Sequence, residues 1–175
     1  RACFYTKGQT STEINSVSDF KQGVIVTKFT NMQSNGQPGS NLSFVDTDFP
    51  MFRLADVYLM YAEAVLRGGT GGNPSVALGY INALRARAFD NNAGEITSSD
   101  FTLDFLLEER ARELYWEGHR RTDLIRYRRF SETSWLWPWK GGVKEGRSIA
   151  SHYDLFPLPS SDLGANPKLK QNPGY

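Results

Sequence analysis

Four carboxylates, Glu108, Glu109, Glu113 and Glu117, sit close together in one stretch of the chain. A pair of such groups can hydrolyse a glycosidic bond when the two face each other across a cleft, roughly 5 to 9.5 Å apart. These four share one helical segment with Arg110 and Arg112, which points to salt bridges and not to an acid and its base. His119 and His152 are the only histidines, and neither stands at i, i+4 from a second zinc ligand. No G-x-S-x-G elbow occurs to present a nucleophilic serine. Asp46-Thr47-Asp48 offers oxygen ligands for calcium but lacks the loop of an EF-hand. Gly68-Gly69-Thr70-Gly71-Gly72 precedes a helix, as a phosphate loop would, yet it follows a helix instead of a strand and lacks the Lys-Ser/Thr ending. It reads as an interhelical loop. The expectation is a chain with no catalytic residue, no metal site and no cofactor.

Trp135, Trp137 and Trp139 stand beside Lys140 in a segment followed by Gly141-Gly142. Indole rings in a loop can stack on the flat face of a sugar, and these three are the candidate ligand-binding residues. The same rings can equally plug the gap between a helical layer and the tail. Both readings stay open.

The elements that must position these residues are helices. Leu54, Val57, Tyr58, Tyr61 and Val65 recur at three- and four-residue steps, with Asp56, Glu63 and Arg67 on the other side, and Gly68-Gly69 ends the run. Asn73-Pro74 supplies an N-cap and a proline at the first helical position, after which Val76, Ala77, Tyr80, Ile81, Leu84 and Ala88 form a second stripe. These two helices are expected to run antiparallel. A third is expected from Leu103 to Glu117, stopping near Gly118, and a short fourth from Thr122 to Arg129. Leu103, Leu106, Leu107 and Leu114 share a face of the third helix, with Arg110 and Glu117 in the middle of it. An unpaired buried charge costs several kcal/mol, so Arg110 and Glu117 are expected to pair with each other or with Glu113, Arg121 or Asp123.

Around the helices the chain is loop. Residues 1–50 are rich in Ser, Asn, Gly and Thr, with Val24 to Phe29 as a possible short strand, and so long a loop fits best against a partner region beyond this chain. Residues 131–175 read as an irregular tail. At 175 residues the chain is one domain or a large piece of a longer protein. Its 20 Lys+Arg balance 19 Asp+Glu, which argues against nucleic acid or an acidic membrane surface as partner. Cys3 is the only cysteine, so no internal disulfide forms, and it reads as a small hydrophobe near an edge. No apolar run is long enough to span a bilayer.

Four stretches, in order, carry a family likeness. Phe49 to Ala64 resembles the "fRlADvyLmyAEA" signature of the SusD/RagB family, and Ile81 to Arg87 resembles its "iN.iRaRA" helix. Leu107 to Arg126 resembles "ERarEL.wEG.R..DLiR", and Leu155 to Pro159 with Asn166 to Tyr175 resembles the terminal "lfPiP...l..NP.l.QNPGY". The resemblance implies an all-α protein of tetratricopeptide-like helical hairpins with long irregular loops and little strand. It further implies a non-catalytic lipoprotein on the outer membrane of Bacteroidetes-type bacteria, capturing oligosaccharides as the lid of a TonB-dependent, SusC-like transporter. Family members are usually much longer. This chain is therefore expected to be the carboxyl-terminal portion, with the lipid anchor and most helices preceding it. RagB-like members handle peptides, so a peptide ligand or a purely scaffolding lid is the alternative; an enzyme acting on glycans is a third.

Overall fold

The computed structural model describes residues 4–175, so Cys3 lies outside the described residues. Two compact units form, one ending at Arg120 and one spanning Arg121–Tyr175.

In the first unit, β1 (Phe4–Tyr5) pairs antiparallel with β2 (Ile25–Val26), Phe4 opposite Val26 and Tyr5 opposite Ile25. The strand expected over Val24 to Phe29 is thus shortened to two residues. Helix α1 (Leu54–Leu66) turns through the glycine loop into α2 (Pro74–Phe89), and α3 (Leu103–Glu113) packs on α1. Asn73 caps α2 as its type foretells, its Oδ1 accepting from Ser75 N–H at 2.9 Å and Val76 N–H at 3.2 Å. Tyr58 stacks on Tyr80 at 4.2 Å, and Tyr61 meets the same ring edge-on while its hydroxyl accepts from Asn73 N–H. These contacts make α1 and α2 an antiparallel hairpin.

The stripe that α1 buries differs from the sequence reading. Ala55, Leu59 and Ala62 lie in the core with Ala77, Ile81, Leu84, Leu106 and Leu114, whereas Leu54 is 61% and Val57 49% exposed. Glu63, expected on the outer side, is buried and paired with Arg67 at 2.8 Å. Helix α1 is apolar most of the way round, so periodicity alone admits more than one buried face. The small side chains of Ala55 and Ala62 decide it, because helix separation depends on the size of the residues at the contact.

Helix α3 also ends one turn earlier than expected. In a continuing helix the Glu117 N–H would bond to the Glu113 carbonyl. That carbonyl instead accepts from Arg53 Nη2 at 2.7 Å and Lys28 Nζ at 3.0 Å, and Glu117 N–H turns to Leu114 O at 3.1 Å. Trp116 and Gly118 then take positive φ, 61° and 77°, reversing the chain. Helix α4 (Arg120–Arg126) begins and ends earlier than the sequence suggests and is closed by Arg128 at φ 55°.

Arg110 and Glu117 are buried and paired, as the cost of a lone buried charge requires, and the partners found for Glu117 lie outside the set expected on or near its own helix. Arg110 meets Asp56 of α1 as a charge pair at 2.9 Å without hydrogen-bond alignment, and Glu117 is held by Arg53 at 2.7 Å and by Lys28. Arg53 also donates to Glu113 Oε1 at 2.7 Å, and Arg87 of α2 reaches the same oxygen. The wholly buried Glu109 accepts from Arg85 at 2.8 Å and Arg112 at 2.9 Å. The charged positions of three of the sequence stretches therefore meet on α3 and the turn after it, and the network of Lys28, Arg53 and Arg87 on Glu113 and Glu117 ties the start of α1, α2, α3 and the opening loop together.

The second unit is built mostly from turns. A 3₁₀ turn at Lys140–Gly142, another at Ser151–Asp154 and a short helix α5 (Ser160–Ala165) punctuate it, α5 lying in a tail expected to be irregular. Side chains satisfy the backbone where elements do not. Gln171 both accepts from Leu158 N–H at 2.8 Å and donates to Leu158 O at 3.0 Å, and Asn172 Nδ2 donates to Phe156 O at 2.7 Å. Among the described residues no helix is long and apolar enough to cross a membrane.

Candidate ligand-binding site

The second unit sets Trp135 and Trp137 beside one ammonium group. Lys140 is only 2% exposed; its Nζ lies 4.4 Å from the centre of the Trp137 ring and donates to Trp135 O at 2.7 Å. Burial pushes this lysine below its usual pKa range. Arg129 covers the Trp135 ring at 4.8 Å, and Phe130 lies beside Trp137 at 6.3 Å. Trp139 sits at φ 68° in the turn, its N–H donating to Lys144 O at 3.1 Å. Gly146 completes the turn, since a Cβ there would stand 2.4 Å from Trp137 O. All three indoles are half-buried. One face of Trp135 and one of Trp137 are taken by cations of the protein itself, so a sugar would have to use the face left over.

A cavity of about 420 Å³ opens in the same unit, and the tryptophans do not line it. Its wall includes Arg121, Phe130, Arg147, Tyr153, Phe156 and Tyr175. Phe130 belongs to both places, flanking Trp137 and lying 5.1 Å from the Arg121 guanidinium. His152 lies tilted against Tyr153 at 4.1 Å and meets Tyr175 edge-on at 5.1 Å, bracing the two tyrosines. The Tyr175 hydroxyl donates to Leu155 O at 2.8 Å. Sequence reasoning missed this cavity. The available signal was the density of aromatic residues after Arg121.

The remaining candidates are engaged locally. Glu108 pairs with Arg120 at 3.0 Å, Glu109 with Arg85, and Glu113 and Glu117 with Arg53, which gives the acidic set the salt-bridge role expected of it. Asp46 accepts from Ser40 N–H at 2.6 Å and Ser40 Oγ at 2.7 Å, bonds that hold its carboxyl below the usual range. Among the described residues no group of three or more His, Cys, Asp and Glu side chains is gathered as a metal would need.

Helical hairpins with long loops place the chain among tetratricopeptide-like all-α proteins. The chain belongs to the SusD family, whose profile matches residues 3–175. It is 42% identical over 168 residues, 96% of this chain and 29% of the relative, to the starch-binding protein SusD of Bacteroides thetaiotaomicron. A SusD-like protein of Formosa agariphila is 36% identical over 141 residues, 76% of this chain and 26% of that one. Among solved structures, a SusD superfamily protein from Bacteroides thetaiotaomicron is similar with a TM-score of 0.62 at 28% identity, over 86% of this chain and 32% of the other. Surface glycan-binding protein A from Bacteroides uniformis is similar with a TM-score of 0.55 at 29% identity, over 73% and 28%. The chain thus spans 29% and 26% of the length of these two curated relatives.

Proposed function

We propose that this chain is the carboxyl-terminal part, residues 1–175, of a longer cell-surface protein that binds oligosaccharides or polysaccharides without cleaving them. The protein is held at the outer membrane by a lipid anchor outside this chain and delivers its ligand to a TonB-dependent, SusC-like transporter. The observation that carries the reading is the 42% identity to a starch-binding protein over 96% of the chain. The aromatic surface of the second unit supports it, because rings on a fixed frame bind the apolar faces of sugars with little loss of side-chain entropy. Trp135, Trp137 and Trp139 are the residues proposed to touch glycan.

A second reading, a lid that captures peptide or only scaffolds the transporter, is favoured by one observation. Phe49, Met51, Phe52, Leu54 and Val57 form an exposed apolar run leading into α1, and runs of this kind mark protein contacts. Affinity electrophoresis against a panel of soluble polysaccharides, with an assay for released reducing ends, separates the two. Retardation without release supports glycan binding; no retardation by any glycan supports the second reading.

A further inference from the structure

The cavity of the second unit has a charge that the tryptophan loop does not. Two guanidinium groups, Arg121 and Arg147, line it, and no Asp or Glu side chain does. Arg121 lies between two aromatic faces, 5.1 Å from Phe130 and 4.0 Å from Phe156, and uses one Nη2 donor on Tyr153 O at 2.6 Å. A guanidinium carries five N–H donors in a rigid plane, so most of its hydrogen-bonding capacity is left for a ligand. Arg147 is placed by a local steric device: its Cγ lies where a Cβ on Gly141 would be, 2.6 Å away, so the glycine lets the arginine lie across the turn. Asp154 and Glu132, close in sequence to lining residues, are not part of the wall, and each bonds within the loops, Asp154 Oδ2 accepting from Ser131 and Glu132 Oε1 from Ser151 N–H. At about 420 Å³ the space falls within the range of small-ligand sites, roughly 300 to 1,000 Å³.

We infer that this cavity is a subsite for an anionic sugar residue, which places its acidic group on Arg121 and Arg147 and its ring against the tyrosine faces. The inference rests on the glycan-binding reading and narrows it to acidic glycans at this position. Arginine suits the role because its planar fork matches carboxylate and sulfate oxygens in pairs, while aromatic walls exclude water and strengthen the charge contact. A guanidinium that served only to brace Phe130 and Phe156 would do so whatever the ligand's charge.

The test is affinity electrophoresis of the full chain through gels containing polygalacturonate, dextran sulfate, dextran or pullulan, at low and moderate salt. Arg147→Gln and Arg121→Lys are run beside it. Arg147 is exposed, so its variant should fold normally, which a thermal melt verifies. The expected result is retardation by an acidic polymer beyond that by the neutral ones, weakened about tenfold in Arg147→Gln. Arg121→Lys, which keeps the charge and loses the fork, should also bind more weakly. Selective binding of polygalacturonate identifies a carboxylate ligand, and selective binding of dextran sulfate a sulfated one; either supports the subsite. Retardation by neutral and acidic polymers alike, unchanged in both variants, overturns the subsite and leaves the glycan-binding reading standing. Retardation by none of the four overturns both.

Discussion

Removing Arg53 is the sharpest test of the buried network. The side chain donates to Glu113 Oε1, to both Glu117 carboxylate oxygens and to the Glu113 carbonyl, each at 2.7 Å. Arg53→Ala therefore strips two nearly inaccessible carboxylates of their shared partner. Breaking a buried pair on one side costs about 3 to 5 kcal/mol. Arg87 stays on Glu113, Lys28 stays on Glu117 and Arg53 is itself 24% exposed, so the lower end applies, about 3 kcal/mol. For a chain of this size that lowers the melting temperature by roughly 6 to 12 °C. The pH dependence adds a sign. Burial by itself raises the Glu113 and Glu117 carboxyls, but hydrogen bonds from Arg87 and Arg53 to the first, and from Arg53 and Lys28 to the second, outweigh it and hold both below the usual glutamate range. A carboxylate whose folded pKa is depressed contributes stability above its unfolded pKa and loses it as pH falls through the folded value. The gap between parent and variant should thus be widest near neutrality and shrink at acid pH. Urea unfolding followed by circular dichroism across a pH series measures both. A loss under about 1 kcal/mol at neutral pH, or a gap that does not change with pH, would refute the reasoning.

Leu59→Ala should cost about 2 to 5 kcal/mol, because Leu59 is fully buried at the centre of the hairpin and the vacated space is enclosed by α2 and α3; urea midpoints read it directly. Asn73→Ala removes the acceptor for two N–H groups at the start of α2 and should cost about 1 kcal/mol, with Asn73→Asp restoring most of it. Trp137→Ala should abolish or strongly weaken glycan retardation if the tryptophan loop is in the site, with an unchanged far-ultraviolet spectrum. Full retardation in that variant would assign the loop to packing around Lys140 alone.

Charge at a core position was legible in the sequence, but its geometry was not. Arg110 and Glu117 had to find partners because desolvation leaves no alternative, and this followed from helical spacing. Partners far along the chain came in as well, Asp56 for the first and Lys28 with Arg53 for the second. The same contacts shortened α3, since a carbonyl taken by two cations cannot also accept from the fourth residue ahead.

By itself the sequence determined the helical class, the hairpin with its Asn73-Pro74 start, the family, and the salt-bridge role of the glutamates, because caps, periodicity and the cost of buried charge act over a few residues. Tertiary structure decided which face of α1 is buried, since small side chains matter only once a second helix approaches. It also decided that Arg121 and Arg147 share a cavity with Phe156 and Tyr175. Their spacing along the chain follows no helical or strand period, and only the folded turns of the second unit bring them to one wall.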